Sequence, residues 1–375
     1  MQEDNAYWLA WSQVSGVGPV LIKRIWQQFG TLKNAWETSP ESLGKVEGLG
    51  GKLINTIKQQ RSQLNPAQLL QQHQQKNPQF WTPADPNYPR LLLETPSPPP
   101  LLYYQGQVDL AENQGNTPLI GIVGTRYPTE HGRRWTHKIT LALVKHGFTV
   151  VSGMAAGIDG VAHKSCLDAG GRTIAVLGTG VDVVYPSSHQ QLHKTIQQKG
   201  LIISEYPAGT PGDRRHFPAR NRIIAGLSRA VLVMEAPEKS GALITARYAN
   251  EFCRDVYTLP NSPDVIQAQG CLRLIHHGAE MILTEEELLE MLGAIPNLNE
   301  PQQLSLFESP TPQSLPKLEP DLLKIFQAIT NEGKSFDTIV QETGLNTPQV
   351  SGGLLQLELE GLITQLPGMR YQRTS

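Results

Sequence analysis

The chain has 375 residues, 39% hydrophobic and 18% charged, with 32 basic against 34 acidic side chains for a net charge of −2. At roughly 150 residues per domain this length implies two or three folded domains, and the near-neutral charge means that any nucleic-acid surface must be a local patch. Three scattered cysteines, Cys166, Cys253 and Cys271, suit neither a disulfide framework nor a Cys-x-x-Cys metal site. With Glu3 and Asp4 near the start, no basic leader and no apolar run of about 20 residues, they point to a cytoplasmic protein without a membrane segment or bound metal.

Residues 1–75 alternate helical patterns with Gly-containing turns. Ser15-Gly16-Val17-Gly18-Pro19 before an apolar helix has the form of a helix–hairpin–helix turn, and Val46-Glu47-Gly48-Leu49-Gly50-Gly51 repeats it. Such turns can offer backbone N–H groups to a DNA phosphate without reading sequence. Gly16, Gly18, Gly48 and Gly50, helped by Lys23, Arg24 and Lys52, are therefore candidate contacts, with two ordinary helical hairpins as an equal alternative. A Gln-rich connector follows, then a Pro-rich passage from Pro83 to Pro100 that reads as loop or extended chain.

Across residues 80–294, apolar β-branched runs alternate with amphipathic stretches. The runs are Leu119–Val123, Thr149–Ser152, Thr173–Leu177, Leu201–Ser204, Ala230–Met234 and Val256–Leu259. This rhythm predicts a doubly wound α/β domain with about six parallel strands, whose ligands sit at the carboxyl ends of the strands. The first run ends Gly124-Thr125-Arg126 and the second Ser152-Gly153. Neither the Gly-x-Gly-x-x-Gly fingerprint nor an acid for a ribose is present, so a nicotinamide cofactor is disfavoured. Asp159 has the position of an N-cap, and His163 reads as a packed helix residue. The densest signal is Pro211 to Arg229, with five arginines (Arg214, Arg215, Arg220, Arg222, Arg229), one acid (Asp213), and Phe217 in their midst. Guanidiniums that clamp phosphate beside a ring that stacks on a base are the ingredients of single-strand binding. Arg220-Asn221-Arg222 is expected to open a helix, and Ser240-Gly241 to turn into the next one, as a cap or a phosphate contact. No nucleophile–base–acid set stands out, which favours binding over turnover.

Residues 295–318 are rich in Pro, Gln and Ser and read as a linker. From 319 to 375, three helical stretches (Leu322–Thr330, Phe336–Glu342 and Pro348–Leu359) precede two short strands around Pro367-Gly368, a winged-helix pattern. The third stretch and its end carry Gln349, Gln356, Glu358 and Glu360 but no Lys or Arg. A groove-reading helix so composed would meet phosphate repulsion, so this domain is expected to bind protein or regulate.

These residues together resemble the DprA/Smf family of bacterial DNA-processing proteins. The resemblance rests on IVGTR (122–126), VSGMAAGID (151–159), AVLGTGVDVVYP (175–186), SEYPAG (204–209), FPARNRIIAGLSRAVLVMEA (217–236), SGALITA (240–246) and LIHHGAEMI (274–282). It implies a Rossmann-like domain that binds single-stranded DNA without catalysis or cofactor. It further implies a homodimer that protects incoming DNA and loads the RecA recombinase during natural transformation. By motif, Arg126, Arg214, Phe217, Arg220 and Asn221 would form the binding pocket, with Gly124, Thr125, Ser152, Gly153, Ser240 and Gly241 around it. The sequence departs from the family's habit at Ala156, usually Arg, at Cys253, usually Gly, and at Asn261, which follows Pro260 where Gly usually does. The alternative is a nucleotide-binding or nucleotide-hydrolysing protein of the lysine-decarboxylase-like (LOG) type. The turn at Ser240–Thr245 lacks that type's closing Glu, which disfavours it, although Glu235 lies at a strand end.

Overall fold

The computed structural model describes residues 2–77, 79–293, 319–330, 333–359, 361–366 and 368–373. The linker assigned to 295–318 lies outside them. The chain divides into two compact units, Met1–Pro301 and Gln302–Ser375.

The first unit is built on a nine-stranded sheet. Its strands are β1 (Phe80–Trp81), β2 (Leu102–Gly106), β3 (Leu119–Val123), β4 (Thr149–Ser152), β5 (Thr173–Leu177), β6 (Leu201–Ser204), β7 (Ala230–Val233), β8 (Asp255–Thr258) and β9 (Glu280–Met281), in the order β1-β2-β6-β5-β4-β3-β7-β8-β9. From β6 through β9 every pair is parallel, while β1 and β2 add antiparallel beyond β6. All six expected strands form within a residue or so of the sequence reading.

Alternation along the strands decides the layers. Ile120 and Ile122 of β3 face one side with Ile139 and Leu143 of helix Glu130–Lys145 and Ile158 and Ala162 of helix Ile158–Asp168. Leu119 and Val123 face the other, against Ile223 and Ile224 of helix His216–Leu227 and Ala246 and Ala249 of helix Ala242–Glu251. Both faces being covered explains why these strands read as unbroken apolar runs.

The Pro-rich passage needs correction, since Arg90–Glu94 is a short helix. Pro89 precedes it as the N-cap, where a missing N–H costs nothing. The helix His216–Leu227 also begins earlier than expected, so Arg220 and Asn221 lie on its second turn and not at its start. The cap of Ile158–Asp168 is Gly157, not Asp159.

The N-terminal helices share a continuous core with the sheet. Trp8, Trp11, Ile22, Ile25 and Ile57 belong to one cluster with Met154, Ala175, Leu177 and Ile202. The two hairpins pack reciprocally. Gly16 (φ +83°) abuts Leu53 of the second hairpin's helix, and Gly48 (φ +92°) abuts Leu21 and Arg24 of the first.

The second unit has helices Pro320–Ala328, Phe336–Thr343 and Thr347–Leu359, with a small sheet of β10 (Lys334–Ser335), β11 (Ile363–Leu366) and β12 (Arg370–Arg373) in the order β10-β12-β11. This is a winged helix. Its third helix buries Val350, Gly353, Leu354 and Leu357 and exposes Gln349, Leu355, Gln356 and Leu359.

Candidate nucleic-acid interface

Strand order runs outward from β3 in both directions, through β4 to β6 on one side and through β7 to β9 on the other. At such a switch point the loops leaving adjacent strands diverge and open a crevice. The crevice here consists of two adjoining clefts that share Arg126, Tyr127, Ala155, Tyr185, Phe217 and Arg220 in their walls. The narrower, about 200 Å³, is completed by Gly153, Ala156, Leu177, Gly178, Thr179 and Pro186. The wider, about 620 Å³, adds Gly124, Thr125, Arg214, Asn221, Lys239, Ser240 and Gly241 among others.

The floor is tied together by Asp159. Its carboxylate accepts hydrogen bonds from the backbone N–H groups of Gly153 (3.1 Å) and Ala155 (3.4 Å) and faces the Arg220 guanidinium. Burial raises the Asp159 pKa above the ordinary carboxylate range, and the Arg220 charge and the backbone N–H groups oppose that shift. Arg220 is only 3% exposed and donates from Nη1 to the carbonyls of Gly153 and Val176. Burial brings its pKa down to about 10, with Asp159 working the other way. It remains a cation at neutral pH. A Cβ on Gly153 would lie 2.7 Å from the Arg220 guanidinium carbon, so this strand end must be glycine for the arginine to fit beneath it.

The five-arginine cluster therefore resolves into separate uses. Arg220 braces the floor, Arg222 pairs with Glu205 at 2.5 Å, Arg215 pairs with Asp213 at 2.9 Å, and Arg229 is buried and donates to the Gly115 carbonyl. Arg214 is exposed on the wall of the wider cleft and has no such partner among the described residues. Arg126 joins it there, with its guanidinium carbon 5.8 Å from the Phe217 ring centre. Phe217 is half-buried and packs against Tyr185 at 4.9 Å between ring centres.

Other sequence candidates fall in different places. Ser152 is fully buried and donates to the Ile122 carbonyl, so it holds β4 to β3 and does not line either cleft. Thr125 Oγ1 accepts from the Tyr127 N–H, shaping the turn that presents Arg126. Asn221 donates from Nδ2 to the Gly241 carbonyl, and Ser240 Oγ accepts from the Ala242 N–H at the start of the next helix. Lys23 does not extend freely from its hairpin. Its ammonium donates to the carbonyls of Leu93 (3.3 Å) and Thr95 (2.6 Å), and burial lowers its pKa. Gly18 and Gly50 do lead into helices without a side-chain cap, and Lys52 is exposed beside the second. Neither hairpin lines the crevice.

Three lining residues escaped the sequence reading. Tyr127 and Lys239 adjoin Arg126 and Ser240 in sequence, so proximity to named candidates was the available signal. Tyr185 had only its place before Pro186. Glu235, the acid that kept hydrolysis open, is buried and committed. Its carboxylate accepts from the Thr129 N–H (2.7 Å) and Thr129 Oγ1 (2.6 Å) at the start of helix Glu130–Lys145. Among the described residues no group of histidines, cysteines and acids is arranged to hold a metal.

Fold and site together define a Rossmann-like α/β protein with a cationic, aromatic-walled crevice at its switch point and a separate winged helix. A model of the DNA recombination-mediator protein A family matches residues 79–293, and a DprA winged helix domain model matches residues 309–369. Protein Smf of Synechocystis is 59% identical with 99% of each chain covered, and the DNA processing protein DprA of Streptococcus pneumoniae is 39% identical over 66% of this chain and 86% of its own. The X-ray structure of the pneumococcal protein superposes with a TM-score of 0.66 at 34% identity, covering 76% of this chain and 97% of that one. A structure of DNA processing protein A from Helicobacter pylori, described for its single-stranded DNA binding mode, gives 0.50 at 31% identity, covering 57% and 96%. The chain belongs to the DprA/Smf family of DNA-processing proteins.

Proposed function

We propose that the crevice binds single-stranded DNA and that the protein acts as a DNA-processing binder without catalysis. The observation that carries this reading is the pairing of two cations, Arg126 and Arg214, with aromatic rings in one open crevice. Phosphates satisfy the cations, bases satisfy the rings, and neither contact depends on sequence. Lys239 and the start of helix Ala242–Glu251 extend the positive wall. Family membership is what supports extending the reading to loading of the RecA recombinase, action as a homodimer in the cytoplasm, and a role in natural transformation or recombination. They belong to this proposal.

Nucleotide hydrolysis is the second reading. Glu235 speaks against it, because a buried carboxylate that accepts from both the N–H and the hydroxyl of the N-cap residue Thr129 is not available as a general base. The winged helix we assign to protein contacts or regulation. Its third helix carries no Lys or Arg, and duplex competition is expected to leave single-strand binding intact.

The test is binding of labelled oligo-dT to the wild type, Arg126→Ala and Arg214→Ala across a salt series. Each arginine variant should show a salt slope shallower by about one counterion. Identical binding by all three proteins would move the DNA site to the N-terminal hairpins. Release of free base from a nucleoside monophosphate would return the hydrolase reading.

A further inference from the structure

Phe217, the ring that family resemblance makes the base platform, has little open face. Cβ atoms on Gly178 and Gly212 would lie 2.9 Å and 3.3 Å from its ring atoms, so both glycines sit directly against it. Tyr185 stacks on it with the planes tilted 31°, and the Arg126 guanidinium lies over it. A base stacking on Phe217 competes with these neighbours for its faces. Tyr185 is different. The residue is 44% exposed, forms part of the wall of both clefts, and is braced from behind by Phe217 and Gly212.

We propose that Tyr185 is the residue on which a DNA base stacks, with Phe217 as its backing. The inference rests on the reading of the crevice as a single-strand site. Tyr127 is the competing ring. It is 83% exposed at the same mouth and has no aromatic neighbour among the described residues. Stacking on Tyr127 would first have to order a free side chain, whereas Tyr185 is already held. Neighbouring Arg126 supplies phosphate contact on the same wall, so a nucleotide on Tyr185 has its charge met without rearranging the floor.

The experiment uses the full chain and a dT oligonucleotide carrying one 2-aminopurine, whose fluorescence is quenched on stacking. Tyr185→Leu is expected to weaken binding by roughly 5- to 100-fold, the equivalent of one lost stack. It should abolish the quench and leave the salt slope unchanged, since no phosphate contact is removed. Tyr185→Phe should retain both affinity and quench, which separates loss of the ring from damage to the fold. Wild-type affinity and quench in Tyr185→Leu would overturn the inference while leaving the single-strand reading standing, as would transfer of the whole loss to Tyr127→Leu. No binding by the wild type would overturn both.

Discussion

At the scale of single residues, the site separates cations that hold the protein from cations free to hold a ligand. Arg214→Ala should reduce the salt slope of oligonucleotide binding and leave the melting temperature unchanged. Arg220→Ala should do the reverse. It strands the buried Asp159 without its counter-charge, a loss of about 3 kcal/mol or more, visible in chemical denaturation. A second residue-scale prediction concerns acid. His163 is buried with its Nδ1 against Thr173 Oγ1, which itself donates to the Val150 carbonyl. Nδ1 therefore carries the proton, and Nε2 makes no hydrogen bond among the described residues. Burial, with help from nearby cationic groups, lowers the His163 pKa from 6.5 to about 3. The folded state binds this proton less readily than the unfolded chain does. The associated stability is complete above about pH 6.5 and is lost as pH falls towards 3, at up to about 1.4 kcal/mol per pH unit. Urea melts of wild type and His163→Asn between pH 7 and 4 should show the acid slope flattened in the variant. An unchanged slope would assign acid sensitivity elsewhere.

At the scale of elements, helix Ala242–Glu251 ends in a way that its sequence makes costly. The Cys253 N–H donates to the Asn250 carbonyl and the Arg254 N–H to the Ala249 carbonyl, the paired bonds of a Schellman motif. That motif places Cys253 at φ +55°, in the left-handed region. Cys253→Gly removes the Cβ strain and is expected to stabilise the protein by about 1 kcal/mol, read as a higher urea midpoint. This position was legible in the sequence as a departure from the family's glycine, though its backbone conformation was not. The six parallel strands were legible because burial on both faces leaves unbroken β-branched runs. The two-residue β1 and β9 offered no periodicity, and the helix Arg90–Glu94 was hidden among prolines that in fact flank it. The crevice was legible as strand ends rich in Gly and Arg. Which arginines were free was legible only in part: Asp213 stands two residues from Arg215, but the groups that occupy Arg220 and Arg229 lie far along the chain. Val176 O is 44 residues from Arg220, and Gly115 O is 114 from Arg229.

At the scale of the whole molecule, Lys23 links the N-terminal helices to the segment leading into the sheet. Lys23→Met keeps the aliphatic stem but removes the charge that meets the Leu93 and Thr95 carbonyls. It should cost about 1–2 kcal/mol in stability and leave the salt slope of DNA binding unchanged; a shallower slope would instead make Lys23 a phosphate contact. The antiparallel addition of β2 has a different consequence. Tyr103 to Gly106 cover the outer edge of β6 over its whole length, Leu201 to Ser204. All four residues of β6 are buried, so its bare edge would be a flat apolar template for strands of neighbouring molecules. The Pro-rich passage thus delivers a shield as well as a connection. A chain beginning at residue 107 would keep the crevice residues yet lose that shield together with the helices that complete the shared core, and its failure would show both as lost stability and as concentration-dependent assembly into β-rich aggregates.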